Sequence, residues 1–397
     1  MRRENLIKHS VFIFLLVLSI VSLKCDNFLN VDNKPSATER NVVFKIILTD
    51  NSNFMQTLYG TNRVKNASVK LKSNMLGEEY SVITDSNGVA EISGILSDSY
   101  FISAERKMQP EEMKIISGVE SASVRLVNSK KRIVELSAGK NSAVEIPMDV
   151  ESSGSSLVIS EIYACGPTGA GLYYHDKYVE VFNQSDSVIY LDSLMIAVVF
   201  SSSYLGLNYR DDPAYVHSKS IWIFPGSGKE YPLMPGEFAL CAEDAIDHRM
   251  NAPNSVDLSK ANFEFYKDDA PDVDNTAVPN MIKIYQDAGN DWLIGGERGA
   301  IVIARLNVKE LIPYGDEFLI PYTSILDGVE YMSDPTKIAD KILNESIDAS
   351  AAGGIQFYTG KSMERIMIGT GEKILLKDDN NSTVDFKRNE HPTPGYY

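Results

Sequence analysis

Acidic side chains are concentrated in one short segment, residues 268–275, whose sequence is DDAPDVDN. Ca²⁺ binds several carboxylate and amide oxygens in flexible loops, and this segment brings such groups close together. Four aspartates are therefore the candidate ligands of a calcium site: Asp268, Asp269, Asp272 and Asp274. A solvated acidic loop is the alternative, because the spacing is not that of an EF-hand and Pro271 interrupts the segment.

A second metal-binding set is suggested by Asp244, Asp247 and His248. Residues three and four positions apart are neighbours on a helix, so these side chains would share one face. Carboxylate oxygens and an imidazole nitrogen can bind a metal ion together. The alternative is a solvated helix with acidic residues in its first turn. Either acidic set could serve a metal-dependent surface hydrolase, which is the enzymatic alternative for this chain.

Glu161 and Glu180 lie within apolar runs that are typical of buried strands. A buried carboxylate needs hydrogen-bond donors, which backbone amides or a base such as Arg365 would supply. We therefore expect a structural role for both; contact with a ligand or metal and paired-carboxylate catalysis are the alternatives. The sequence has neither an HExxH zinc motif nor a GxSxG nucleophile motif, and we predict that the chain is not an enzyme.

Short apolar runs separated by turn sequences occupy residues 41–150. The run at 67–72 alternates apolar and polar residues, as in a strand with one buried face. The sequence TDSNG at 84–88 predicts a tight turn, in which Asp85 and Asn87 bond the backbone and Gly88 takes a positive φ. The runs recur roughly every 8–12 residues without helical periodicity, which indicates a small β-sandwich.

The order of these segments resembles the transthyretin-like, carboxypeptidase-regulatory-like domains of bacterial surfaces. The resemblance rests on four segments, at 67–71, 84–90, 94–95 and 99–102. The sequence departs from the family at Ser99, where the family has glycine. The resemblance implies a sandwich whose turn residues shape a hairpin and carry no chemistry.

Residues 149–156, DVESSGSS, are a predicted polar linker, and the chain beyond them resembles a lamin-tail-type immunoglobulin-like domain. The resembling segments are the strand runs at 159–162 and 178–183, a Pro-Gly-Glu-led strand at 233–242, a closing Ser-x-x-Arg at 362–365 and a PTPG tail at 392–395. The resemblance implies structural roles for five residues: Glu161, Glu180, Asn183, Ser362 and Arg365. We thus predict an all-β fold with two immunoglobulin-like or transthyretin-like β-sandwich domains, at 41–150 and 157–397. The second domain should carry long loops and short helices as insertions.

The same region also resembles a Bacteroidetes lipoprotein family, DUF4876. The resembling segments lie at 244–248, 256–264, 272–275 and 379–386. Such families look like cell-envelope proteins that are often encoded beside TonB-dependent outer-membrane receptors. The resemblance therefore implies a binding or accessory role in a nutrient-uptake or surface complex, with a TonB-dependent receptor or another envelope protein as partner. A structural or adhesion role in the envelope is the alternative.

Residues 1–24 are predicted to be a secretory signal peptide. Arg2, Arg3 and Lys8 precede an apolar run at 11–23, which is shorter than the roughly 20 residues of a membrane-spanning helix. Cys25 follows directly, where a bacterial lipoprotein carries its acylated cysteine, and residues 25–40 would form a polar tether. Lys24 departs from the small residue usual at that position, and a cleaved soluble protein is the alternative. We expect export and lipid anchoring in the outer membrane, at the cell surface or the periplasmic face.

Charge and cysteine content restrict the partners. The formal net charge is −16, and removal of residues 1–24 makes it −19. Nucleic acid is excluded as a partner, because its binding requires basic patches.

Besides Cys25, the chain has Cys165 and Cys241, which could form one disulfide in an oxidising envelope. No cofactor is expected, apart from the calcium considered above.

Overall fold

The computed structural model describes residues 42–130, 132–201, 208–287, 289, 291–292, 294–369 and 373–395. The predicted signal peptide, the tether and Cys25 lie outside these residues. The described chain consists mainly of β-sheets, so the predicted all-β fold class is confirmed. In the described ranges, no helix is both long enough and apolar enough to cross a membrane.

Residues 42–152 form one eight-stranded arrangement with two short helices. Its elements are β1 (Val42–Asp50), α1 (Phe54–Tyr59), β2 (Ser68–Ser73), β3 (Glu79–Ile83), β4 (Val89–Ile95), β5 (Asp98–Lys107), α2 (Pro110–Ser117), β6 (Val124–Val127), β7 (Arg132–Leu136) and β8 (Ser142–Ser152). The strand order is β3-β2-β5-β6-β8-β1-β4, and β7 pairs with β5. Strand β8 joins the two faces of the sandwich, because its first part is parallel to β1 and its last four residues are antiparallel to β6.

The turn predicted at 84–88 connects β3 to β4, but the expected hairpin is not formed, because β3 pairs with β2 and β4 pairs with β1. One carboxylate oxygen of Asp85 accepts hydrogen bonds from the amides of Asn87 at 2.9 Å and Val89 at 2.8 Å. Gly88 has a φ of 70°, and a Cβ there would lie 2.9 Å from the amide nitrogen of Val64. The turn therefore needs glycine both for its backbone angle and for the close approach of a neighbouring loop.

Residues 157–395 form a second set of sheets. Its strands are β9 (Leu157–Tyr163), β10 (Tyr178–Asn183), β11 (Ile189–Tyr190), β12 (Met195–Val199), β13 (Tyr215–Ile223), β14 (Pro232–Leu233), β15 (Phe238–Ala242), β16 (Phe263–Glu264), β17 (Ile282–Gln286), β18 (Arg298–Ala304), β19 (Ile312–Tyr314), β20 (Glu317–Pro321), β21 (Ile325–Met332), β22 (Ala352–Gly353), β23 (Ser362–Arg365), β24 (Met367–Gly369), β25 (Ile374–Leu376) and β26 (Phe386–Asn389). A short helix, α3 (Ser382–Asp385), precedes the last strand.

Two large sheets enclose the main core of this part. The six-stranded sheet has the order β16-β15-β10-β9-β23-β26, and the eight-stranded sheet has the order β19-β20-β13-β12-β18-β21-β22 with β17 paired to β13. Ile196 of β12 points into the core between the sheets, whereas Met195 and Ala197 pack in a separate cluster on the outer face. This alternation is the period of a strand that is buried on both faces.

The hairpin of β24 and β25 connects the two parts of the chain. Its residues Ile368 and Leu375 are buried in the hydrophobic core of residues 42–150. The predicted linker at 149–156 is wrong in its first half, because β8 continues to Ser152. The division into domains at 41–150 and 157–397 stays a prediction. The hairpin belongs to the second part of the chain but completes the core of the first part.

Helices are short in the described chain, and they differ in part from the prediction. The helix that would place Asp244, Asp247 and His248 on one face is a single 3₁₀ turn, His248–Met250. Asp334 caps the 3₁₀ helix Pro335–Asp340 by accepting a hydrogen bond from the amide of Thr336, as its sequence indicates. The sequence interpretation missed α2, whose N-terminus carries a capping box between Gln109 and Glu112.

Candidate functional site

An open cleft of about 1070 Å³ lies at the β15–β16 edge of the six-stranded sheet. One wall is the loop between β15 and β16, and another is the C-terminal tail at 392–395. The aromatic lining residues are Tyr231, Phe238 and Phe263, and the apolar lining also includes Pro279, Pro392 and Pro394. The charged lining residues are Glu230, Glu237, Arg249, Asp257 and Lys260.

Ring packing holds the aromatic floor of the cleft in place. The rings of Tyr231 and Phe263 meet edge to face with centroids 5.2 Å apart, and Phe224 supports Phe263 from within the core at 4.8 Å. The ring of Phe238 packs against Phe182 with centroids 4.3 Å apart. Because these contacts exist within the chain itself, the floor is formed before any ligand binds.

Two buried carboxylates hold the tail that forms one wall. Glu161 of β9 accepts hydrogen bonds from the backbone amide of Thr393 at 3.1 Å and from its hydroxyl at 3.2 Å. Glu180 of β10 accepts one from the amide of Gly395 at 2.6 Å. Ser362 of β23 donates a further hydrogen bond to Glu161. Both glutamates therefore bind backbone amides, and the tail is fixed by residues of the sheet interior.

The protonation of Glu180 is strongly affected by its position. Burial, together with the negative charge of Glu161, raises the pKa of Glu180 to about 8. Burial also raises the pKa of Glu161. The other titratable groups that interact with Glu180 are Glu364, Tyr178 and Cys241. At neutral pH Glu180 is therefore largely protonated while it accepts the Gly395 hydrogen bond.

Arg365 does not pair with either glutamate, although the sequence suggested it as their base. Its guanidinium lies 2.8 Å from a carboxylate oxygen of Asp327 and 3.1 Å from one of Asp378. It also donates to the carbonyl oxygens of Ile159 and Lys377. Arg365 thus ties β23 to β9, to β21 and to the segment after β25.

Asn183 organises the turn between β10 and β11. Its side-chain amide donates to the carbonyl oxygens of Ser187 and Leu233, both at 2.8 Å. Its oxygen accepts hydrogen bonds from the amide and the hydroxyl of Ser185. The side chain therefore connects β10 to the β14 region that forms part of the cleft.

The four aspartates predicted to bind calcium do not converge. Asp269 pairs with Lys283 at 2.5 Å, and Asp274 accepts a hydrogen bond from the side-chain amide of Asn280 at 3.1 Å. Asp272 accepts from the amides of Lys267 and Val273. Asp268 forms no group with them that could hold a metal ion, in the part of the chain that was searched. Each of Asp269, Asp272 and Asp274 is thus engaged by its own protein partner, and the calcium site stays a prediction.

The set Asp244, Asp247 and His248 is wrong. His248 is buried, with one ring nitrogen 2.9 Å from the carbonyl oxygen of Asp244 and the other 2.8 Å from the hydroxyl of Tyr173. Asp247 turns away and pairs with Arg249 at 2.7 Å. The single 3₁₀ turn at this position does not give the shared face that a regular helix would provide.

A different group of possible metal ligands lies nearby. One ligand atom each of His175, Glu243 and Asp291 lie within 4.8 Å of one another. Asp244 adds a carboxylate oxygen 3.8 Å from the Nδ1 atom of His175. The sequence interpretation missed this group, since its residues come from three separate loops. The available signal was the pair Glu243-Asp244 directly after the apolar strand β15.

Cys165 and Cys241 do not form the disulfide that the sequence allowed. Both are free and buried. The Sγ atom of Cys165 lies 3.3 Å from the amide nitrogen of Lys361. Cys241 lies on β15, opposite Val179 of the neighbouring strand β10. The two thiols therefore serve separate packing sites.

Comparison with known families and structures supports the fold. The sequence model of a family described as a protein of unknown function, DUF4876, matches residues 234–317 and 315–393. The crystal structure of a DUF4876 family protein from Bacteroides thetaiotaomicron is similar, with a TM-score of 0.57 and 22% identity, over 89% of this chain and 96% of that one. The family resemblance is thus confirmed for the C-terminal part, and the architecture is similar over most of the chain.

More distant structures add no functional argument. A streptococcal ancillary pilin aligns at 12% identity over 71% of this chain and 58% of the pilin, with a TM-score of 0.20. No curated protein matches the sequence. Neither the matching family description nor these structures name a catalytic reaction.

Proposed function

We propose that this protein is a non-catalytic, lipid-anchored protein of the cell envelope that binds a segment of a partner protein in the cleft beside β15. The partner class that fits the sequence resemblance is a TonB-dependent receptor, for which the chain would be an accessory component. The observation that carries the proposal is the preformed cleft, whose wall is the chain's own tail fixed by Glu161 and Glu180.

The composition of the cleft supports a protein ligand. Aromatic residues and arginine are enriched in the binding surfaces of proteins, and here Tyr231, Phe238 and Phe263 form the floor with Arg249 at the rim. Charges of both signs line the rim, which favours a specific polar partner over a simple ion or lipid tail. The cleft is open along one side, so an extended segment can enter without a conformational change.

The geometry gives less support to a surface hydrolase. The two acidic sets considered for a metal-dependent hydrolase are dispersed, with Asp269 and Asp247 held in ion pairs. The paired carboxylates Glu161 and Glu180 are covered by the tail that they bind. A binding role therefore uses these residues as they are arranged, whereas hydrolysis would require the tail to leave.

The test is co-purification of the tagged full-length protein with envelope proteins from native membranes. The cleft variant carries Phe238→Ala and Lys260→Glu, and the matched control carries Tyr80→Ala and Lys70→Glu in the other sandwich. We expect a TonB-dependent receptor to be recovered with the wild type and the control, and at least about tenfold less with the cleft variant.

Two outcomes would contradict the proposal. Equal recovery of the receptor with the cleft variant would place the interface elsewhere. Normal uptake of every tested nutrient after deletion of the gene, with loss of cell adhesion or envelope integrity, would support the structural alternative instead.

A further inference from the structure

Three loops bring a histidine and three carboxylates together at one end of the six-stranded sheet. His175 lies just before β10, and Glu243 and Asp244 directly follow β15. These two strand ends are adjacent, because Tyr178 pairs with Ala242 and the amide of Glu243 donates to the carbonyl of Lys177 at 2.8 Å. Asp291 reaches the same place from the loop after β17.

Glu243 is buried, and its carboxylate has no hydrogen-bond donor among the residues that the structure describes. Its exposed fraction is 1%, and within the described ranges neither carboxylate oxygen has a hydrogen-bond partner. One carboxylate oxygen of Asp244, which is 2% exposed, also has no hydrogen-bond partner in these ranges. Buried carboxylates are normally paired, hydrogen-bonded or bound to a metal, so these oxygens lack an interaction that the protein interior requires.

The separations between the ligand atoms fit a single ion. The Nδ1 atom of His175 lies 3.3 Å from a carboxylate oxygen of Asp291 and 3.8 Å from one of Asp244. Ligands at about 2.0–2.1 Å from a tetrahedral metal ion are roughly 3.3 Å apart, which matches the separation of His175 and Asp291. The unpartnered Glu243 carboxylate completes the group within 4.8 Å.

Lys177 is the neighbouring base that could neutralise Glu243. Its ammonium group attracts Glu243 electrostatically, but its hydrogen bond goes to the carbonyl oxygen of Ile294 at 3.2 Å, and it lies 4.9 Å from the ring centre of Tyr174. Further negative charge comes from Asp272, which interacts with Asp244. One lysine therefore leaves an excess of negative charge at the site, as expected for a place that receives a cation.

We propose that His175, Glu243 and Asp291 bind one divalent first-row transition-metal ion, such as Zn²⁺ or Mn²⁺, with the Asp244 carboxylate beside His175. The imidazole nitrogen favours these ions over Ca²⁺ and Mg²⁺, which prefer oxygen ligands alone. His175 is about half exposed, so the ion can enter from solvent. The site is separate from the cleft and does not depend on the function proposed for the cleft.

The experiment measures metal binding to the full-length protein, purified in detergent and treated with chelator. Zn²⁺, Mn²⁺ and Ca²⁺ are titrated separately by calorimetry. The variants are His175→Ala and Asp291→Asn, and the matched controls are His391→Ala and Asp269→Asn. We expect one Zn²⁺ or Mn²⁺ per chain in the wild type and controls, and binding at least about tenfold weaker in each site variant.

Two further measurements are needed to interpret metal binding: the folding of each variant and the affinity for Ca²⁺. Circular dichroism checks that each variant folds; His175→Ala is the decisive variant, because this half-exposed side chain is not part of the core. Unchanged Zn²⁺ and Mn²⁺ binding in folded His175→Ala would overturn the proposal. So would Ca²⁺ binding as tight as that of both transition metals, or the absence of a stoichiometric site for Zn²⁺ and Mn²⁺.

Discussion

At the scale of single residues, Arg365 shows how this protein handles buried charge. Its guanidinium is surrounded by Asp327 and Asp378, and Asp385 lies 3.9 Å away. All four side chains are at most 3% exposed. A buried ion pair adds little net stability compared with apolar packing, but removal of one partner leaves an uncompensated charge. The role of Arg365 is therefore best tested by its removal.

Replacement of Arg365 by methionine should lower the free energy of unfolding by about 3–5 kcal/mol, because Asp327 and Asp378 lose their counter-charge. The measurement is urea unfolding followed by the fluorescence of Trp222 and Trp292, the two tryptophans of the chain, which are both buried in the core beneath β9. The control is Arg388→Met, whose half-exposed side chain should change stability by less than about 0.5 kcal/mol. Equal effects of the two substitutions would show that the buried network is unimportant.

At the scale of elements, the C-terminal tail depends on carboxyl groups in the sheet beneath it. The tail contributes no strand of its own at 392–395, and its backbone bonds go to Glu161 and Glu180. The protonation of those side chains is therefore coupled to the wall of the cleft. Among the described elements, the hairpin of β24 and β25 has a comparable linking role, since it covers the core of the other sandwich.

The stability of the protein should depend on pH through Glu180. Its pKa is about 8 in the folded protein, against 4.5 for an ordinary glutamate, so the folded state binds the proton more tightly. This contribution to stability is complete below pH 4.5 and is lost as the pH rises through about 8. Between pH 5 and pH 8.5, the wild type should lose at least about 1.4 kcal/mol more than Glu180→Gln, the equivalent of one pKa unit.

The measurement is urea unfolding by tryptophan fluorescence at both pH values. Glu345→Gln, an exposed glutamate in a loop, is the control and should behave like the wild type. Other buried carboxyl groups, including Asp385 with a pKa raised by burial to about 7, change stability in the same direction. The difference in pH dependence between the wild type and Glu180→Gln therefore isolates the contribution of the Glu180 carboxyl group. Parallel pH dependences would contradict the prediction.

The hairpin prediction concerns Ile368, which is fully buried against the other sandwich. Ile368→Ala should destabilise residues 42–150 by about 2–4 kcal/mol, because it opens a cavity in their core. Far-UV circular dichroism reports on both sandwiches, whereas the two tryptophans report on the second alone. We expect the dichroism transition to begin at lower urea than the fluorescence transition. The control is Met367→Ala, at a 43% exposed position, which should leave both transitions unchanged. Unchanged transitions for Ile368→Ala would refute the linking role of the hairpin.

At the scale of the whole molecule, the predicted export and lipid anchoring would place the cleft in the envelope. The apolar run at 11–23 and Cys25 carry this prediction, and the net charge of −19 after cleavage favours a soluble, non-aggregating surface. A single diacylated cysteine buries enough CH₂ groups to hold the chain at a membrane. The metal site and the cleft both lie far along the sequence from the anchor.

Cys25→Ala should move the protein from the outer-membrane fraction to the soluble envelope fraction. The measurement is fractionation with immunodetection, together with mass spectrometry of the N-terminal peptide, which should carry acyl chains only in the wild type. Cys165→Ala is the control, because that thiol is buried in the folded chain. A membrane-bound Cys25→Ala protein, or an intact terminus beginning at Met1, would exclude lipid anchoring.

Local structure follows from residues that are close together in the sequence. The alternation at 67–72, the turn residues Asp85 and Gly88, and the apolar run of β9 depend on near neighbours, and the strands form where these patterns predict them. The contacts between side chains that are distant in the sequence depend on the folded arrangement of strands and loops. Glu161 accepts a hydrogen bond from Thr393, His175 lies near Glu243 and Asp291, and Arg365 forms an ion pair with Asp327. The physical reason is that strand pairing and loop packing set these contacts, whereas sequence spacing describes only positions a few residues apart.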